Sequence, residues 1–139
     1  MSLSYREKSI WGSLVITLVV YGYYFAGVFN SSRPAKINRE ALAPLILAVA
    51  IIVALEVGYQ LVIAVASRVE PKDERDILIE GKAYRNAYFL LVASLFMLMG
   101  VMVLIGMTKF LTVNLMLFSV VMAEIVKSLT QLFLYRRGI

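Results

Sequence analysis

The chain of 139 residues contains no cysteine and no histidine. Disulfides, thiolate chemistry, histidine-ligated haem and histidine-based zinc sites are therefore excluded. Nucleophilic triads, phosphate-binding glycine loops and metal-ligand spacings are also missing from the sequence. No catalytic role and no cofactor is expected. Six internal methionines (Met97, Met99, Met102, Met107, Met116 and Met122) show no regular ligand spacing. They read as flexible packing rather than a soft-metal site.

What the chain has is apolar length. It is 61% hydrophobic with mean hydropathy +0.83, where a soluble domain would be about half apolar. The excess is gathered into four runs, about 10–29, 42–66, 86–107 and 110–134. Each is long enough to cross a bilayer, which takes about 20 residues. The prediction is an all-α integral membrane protein: one four-helix transmembrane bundle over residues 1–139, with the lipid bilayer as its main partner. The first run is too long for the apolar part of a signal peptide and lacks a small-x-small cleavage site, so it is expected to be the first span. A chain this small also suits a homodimer.

Lysine and arginine orient the spans. Arg6, Lys8, the five basic residues from Arg68 to Arg85, Arg136 and Arg137 put nine on one side. Arg33, Lys36, Arg39 and Lys109 put four on the other, with Lys127 inside a span. Both termini are predicted to be cytoplasmic. The net charge of +5 flanks the membrane runs, where topology and lipid headgroups explain it, so nucleic acid is not an expected partner. Asn30-Ser31-Ser32 matches a glycosylation sequon but stands too close to a membrane end to weigh in the reading.

Two carboxylates, Glu56 and Glu124, stand near the middle of apolar runs, and each is followed twelve residues later by an arginine, Arg68 or Arg136. An ionisable group at membrane depth costs at least a few kcal/mol on insertion scales, and its default reading is functional. Ser4-Tyr5-Arg6 and Ala83-Tyr84-Arg85 also enter spans one and three alike. Either the halves are parallel repeats related by an axis along the membrane normal, or any four-span chain would share such flanks.

In the fourth run Glu124, Lys127, Ser128 and Gln131 fall on one helical face, and Glu124 can pair with Lys127. In the second, Glu56 accompanies Tyr59 and Gln60 and has no local cation. Its partner must come from another helix, with Lys127 first and a tyrosine hydroxyl next. The first run carries a polar stripe, Ser13, Thr17, Tyr21 and Tyr24, with Gly12 and Gly22 permitting close backbone approach. The polar faces of spans one, two and four are expected to pack together. They would form a ligand- or proton-binding pocket of Glu56, Glu124, Lys127, Gln60, Gln131, Tyr21, Tyr24 and Tyr59. The competing reading is that these polar groups only hold the helices together. A membrane sensor or regulatory partner would instead use the loop Asp73, Glu74, Arg75 and Asp76 against a cytoplasmic protein. That same loop predicts a helix start, with Asp73 as N-cap and Asp76 at the capping-box position.

Together, Tyr5-Arg6-Glu7-Lys8-Ser9-Ile10-Trp11, Val20-Tyr21-Gly22-Tyr23-Tyr24-Phe25, Asp73-Glu74-Arg75-Asp76, Ala123-Glu124-Ile125-Val126-Lys127 and Tyr135-Arg136-Arg137-Gly138 resemble an uncharacterised family of small four-span bacterial membrane proteins. Genes of that family in some cases stand beside small helix-turn-helix regulators. The resemblance implies a bacterial inner-membrane location and a regulatory context, and brings no activity. A likeness to small multidrug resistance transporters fails in detail, because their essential acid lies in the first span and this first span has none. Fluoride channels match in size, but their glycine-rich and arginine signatures are missing.

Overall fold

A computed structural model describes residues 5–30, 39–66 and 71–137, with only the backbone described for 39–41. Ser4, Ser31, Ser32, Arg33, Lys36, Arg68 and Gly138 lie outside the described residues. Four helices follow one another: α1 (Tyr5–Asn30), α2 (Arg39–Ala66), α3 (Glu74–Ile105) and α4 (Lys109–Arg137). All four are long and apolar enough to cross a membrane. The chain is an all-helical, multi-pass membrane protein.

The ends of these helices follow local chemistry. Asp73 stands in extended conformation before α3, and its Oδ1 accepts from the Asp76 N–H at 2.7 Å. Asp76 Oδ2 in turn accepts from the Asp73 N–H at 3.1 Å. This is the reciprocal capping box read from the sequence, and it starts α3 about three turns before the apolar run. Gly106 ends α3 with φ 72°, a left-handed conformation that a side chain would disfavour. Thr108 then caps α4, its Oγ1 accepting from the Leu111 N–H at 3.3 Å.

The helices are not equally packed. α3 lies along α4, α4 along α1, and α1 along α2. The order across the bundle is therefore α2–α1–α4–α3, with α1 and α4 in the middle. Among the described residues the core is small. Tyr24, Phe25, Ala48 and Val121 form its tightest cluster, with Tyr21, Val28, Leu45, Leu117 and Ile125 against them. The outward faces are lined with exposed Leu, Ile, Val, Phe and Met. In water such a surface would be a liability. In hydrocarbon it meets a solvent of its own kind, and helix association rests on packing and polar contacts instead.

The α1–α2 seam shows this. A Cβ added at Gly12 would lie 1.9 Å from the Tyr59 ring, so the glycine is what makes room for that ring between the two helices. The close approach expected at Gly22 does not occur: nothing lies within 4 Å of that position, because this part of α1 faces away from its neighbours.

Candidate functional site

At the end where α1 and α3 begin and α4 finishes, three helices are tied by one carboxylate. Asp76 accepts from the Tyr135 hydroxyl at 2.7 Å and pairs with Arg6 Nε at 3.0 Å. Arg75 donates to the Tyr135 carbonyl at 3.2 Å. Asp76 is 8% exposed and precedes the apolar stretch of α3. Burial pushes its carboxyl up, but the Tyr135 hydroxyl, the groups of Asp73 and the Arg6 guanidinium outweigh it and hold the carboxyl below its ordinary value. Of the loop residues that could meet a partner, Asp73, Arg75 and Asp76 are thus engaged within the fold, while Glu74 is exposed.

Inward from this clamp lies a polar groove of about 310 Å³, to which all four helices contribute. α1 supplies Arg6, Ser9 and Ser13, and α2 supplies Gln60. The segment before α3 supplies Lys72, α3 supplies Glu80 and Tyr84, and α4 supplies Lys127, Ser128 and Gln131. The wall between α1 and α2 is a ladder of hydrogen bonds. Ser9 Oγ donates to Gln60 Oε1 at 2.9 Å, and Ser13 Oγ donates to Glu56 Oε1 at 2.7 Å. The Tyr59 hydroxyl donates to the Lys8 carbonyl at 2.7 Å. Opposite, Lys127 pairs with Glu124 on its own helix, and its ammonium lies 5.2 Å from the centre of the Tyr84 ring. Lys72 pairs with Glu80 at 2.6 Å.

The structure brings Gln60, Lys127 and Gln131 to one cavity, as the sequence predicts. Other expectations need correction. Glu56 is half-buried behind Ser13, and its observed partner is that hydroxyl, not Lys127. Glu124 is not buried: its side chain is 53% exposed, against 20% for Lys127. Neither carboxylate lines the groove. The cause is the helix order, because α1 stands between α2 and α4, so their polar faces cannot close on one another. Tyr24 is elsewhere, donating to Asn114 Oδ1 at 2.7 Å beside the apolar core. It lines a separate, apolar cleft of about 880 Å³ between α1 and α2. Tyr21 packs on that same core, and Tyr59 belongs to the α1–α2 seam.

The charges are also shallower than mid-run positions suggest. With Arg6 and Tyr135 level at the clamp, a rise of about 1.5 Å per residue puts Ser13, and so Glu56, about 10 Å inward. The same rise puts Lys127 about 12 Å and Glu124 about 16 Å inward. All three stand toward the clamp end of the bundle, from which polar side chains can reach toward an interface. Beyond them the Tyr24–Phe25–Val121 core closes the bundle.

Sequence reasoning missed Ser9, Tyr84, Lys72, Glu80 and the Arg6–Asp76–Tyr135 clamp. One signal for Ser9 was present: it stands four residues before Ser13 and extends the polar stripe of α1 by a turn. No protein family, curated protein or solved structure matches this chain.

Proposed function

We propose that this is a small bacterial inner-membrane protein, both termini cytoplasmic, that binds a small polar ligand in the four-helix groove. The observation that supports it is the groove itself. Hydrogen-bonding side chains from every helix converge on a cavity of about 310 Å³, at the lower end of the size range of small-molecule sites, roughly 300–1,000 Å³. Helices that needed only adhesion would bring those groups into direct contact and leave no space between them. In this reading Lys127 is the innermost charged contact, Gln60, Gln131 and Tyr84 orient the ligand, and Glu124 neutralises Lys127. Glu56 fixes the wall through Ser13.

The groove is one-sided. The apolar core beyond Tyr21 and Tyr24 separates it from the far membrane face, so any transport or proton passage would require that core to open. The alternative of a regulatory partner at the 73–76 loop draws less support, since three of its four side chains serve the fold.

The lack of native cysteine makes the test direct. Ser128→Cys and Ser13→Cys, one at a time, are exposed to a membrane-impermeant thiol reagent in vesicles of both orientations. Labelling only from the side of the termini is expected. No labelling from either side would leave a dry, structural seam, and labelling from both would show a conduit.

A further inference from the structure

A second cleft, of about 660 Å³, lies away from the groove where α1, α3 and α4 meet near the clamp end. Its floor is apolar, with Trp11, Leu129, Leu132 and Phe133. Its charged lining is Lys82, Arg85 and Arg136, with no carboxylate among them. This is unlike the groove, where each cation has an acid in reach. Among the described residues no ion pair involves Lys82, Arg85 or Arg136, and Arg136 only lies over the Trp11 ring at 5.9 Å. Lys82 and Arg85 are three apart and share a face of α3. They stand just before the apolar run 86–107, and Arg136 stands just after the run 110–134, so all three lie toward the clamp end, Arg136 level with the clamp and Lys82 and Arg85 about 9 and 14 Å in from it.

We infer that this cleft binds an anionic phospholipid. Three cations toward the clamp end, on side chains long enough to reach up to the interface, attract a phosphodiester, and the apolar floor beside them suits acyl chains, where a free phosphate would gain nothing. Basic pockets between membrane helices bind acidic headgroups for this reason, at a gain of about fivefold per nearby Lys or Arg. With three unpaired cations, a lipid carrying two phosphates satisfies the site better than one carrying a single phosphate. A zwitterionic lipid satisfies it least.

Trp11 is the only tryptophan of the chain and lines the cleft, so it reports on occupancy. Detergent-solubilised full-length protein is titrated with lipids brominated on their acyl chains, and Trp11 quenching is followed. Half-quenching is expected at a mole fraction at least tenfold lower for brominated cardiolipin or phosphatidylglycerol than for phosphatidylcholine. Lys82→Gln and Arg85→Gln are each expected to weaken the anionic preference about fivefold, and Arg85→Lys to keep most of it. Lys8→Gln, which removes the same charge at the same membrane end outside the cleft, is expected to leave it unchanged. Equal quenching by phosphatidylcholine would overturn the assignment, as would an equal effect of Lys8→Gln. Reversal of quenching by inorganic phosphate would show a soluble phosphate site and overturn the lipid reading.

Discussion

Replacing Asp76 tests how the bundle is held at its polar end. The carboxylate serves three helices: it accepts from Tyr135 at 2.7 Å, pairs with Arg6 at 3.0 Å and accepts from the Asp73 N–H at 3.1 Å. Hydrogen bonds to charged groups contribute about 1.5–3 kcal/mol each. Breaking a buried ion pair costs about 3–5 kcal/mol, and this clamp at the wet end of the bundle belongs near the lower bound. Asp76→Ala is expected to cost about 3 kcal/mol. Asp76→Asn keeps one acceptor oxygen and is expected to lose about half of that. Asp73→Ala removes only a cap, for about 1 kcal/mol. Unfolding in mixed micelles with rising SDS, followed by circular dichroism, measures the three. The reasoning fails if Asp76→Ala costs no more than Asp73→Ala. Acid gives a second readout. The folded carboxyl is held below its ordinary value of 3.8. Its contribution is therefore complete above that value and is lost as pH falls below it toward the folded value. Wild-type stability should drop in that window, and Asp76→Asn should flatten that part of the profile.

Three further outcomes follow from the seams. Gly12→Ala should displace the Tyr59 ring and break its bond to Lys8, destabilising the α1–α2 pair by about 1 kcal/mol or more. Adding Tyr59→Ala should recover part of this in the same SDS titration. Ser13→Ala should cost about 0.6–1.7 kcal/mol, the range for polar contacts between membrane helices, and Glu56→Gln should cost less because its amide oxygen still accepts. Tyr24→Phe leaves the side-chain oxygen of Asn114, a residue only 4% exposed, without its donor and should cost about 1–3 kcal/mol. Tyr24→Phe with Asn114→Leu should cost less than the sum of the single changes, which a double-mutant cycle reads directly.

The four helices and the start of α3 were legible because they rest on local rules. Apolar runs of bilayer length mark the spans, and Asp73 and Asp76 three apart mark the α3 start; the stop at Gly106 was not, because hydropathy carries the run 86–107 past it. The site was legible only one helix at a time. The periodicity of α4 put Glu124 beside Lys127, and that pair is present. What pairs with Glu56 could not be read, because Ser13 is 43 positions away and face patterns do not state which helix is the neighbour. The pairing Glu56–Lys127 assumed that α2 and α4 meet. The order α2–α1–α4–α3 is a global property, set by where glycine and hydroxyl groups let helices approach. The same holds for the clamp, in which Arg6 and Asp76 come from the starts of different helices.

The distribution of charge distinguishes the two cavities, and on the proposed readings it suits them to different ligands. In the groove Arg6, Lys72 and Lys127 each have a carboxylate partner. A ligand with net charge would have to compete with those partners or leave one of them unpaired in a poorly solvated place, which is costly. A neutral or internally balanced polar ligand avoids that penalty and can use the serines, glutamines and Tyr84. In the Trp11 cleft no acid competes, so an anion gains the full attraction of three cations. Depth does not divide them: Lys127 stands about 12 Å in from the clamp, and by the same rise Lys82 and Arg85 stand about 9 and 14 Å in, so charge pairing alone separates the two cavities. Neither site places an unpaired cation in the apolar half of the bundle beyond Tyr21 and Tyr24. The small core can therefore seal the membrane while both polar features remain open on the same side of it.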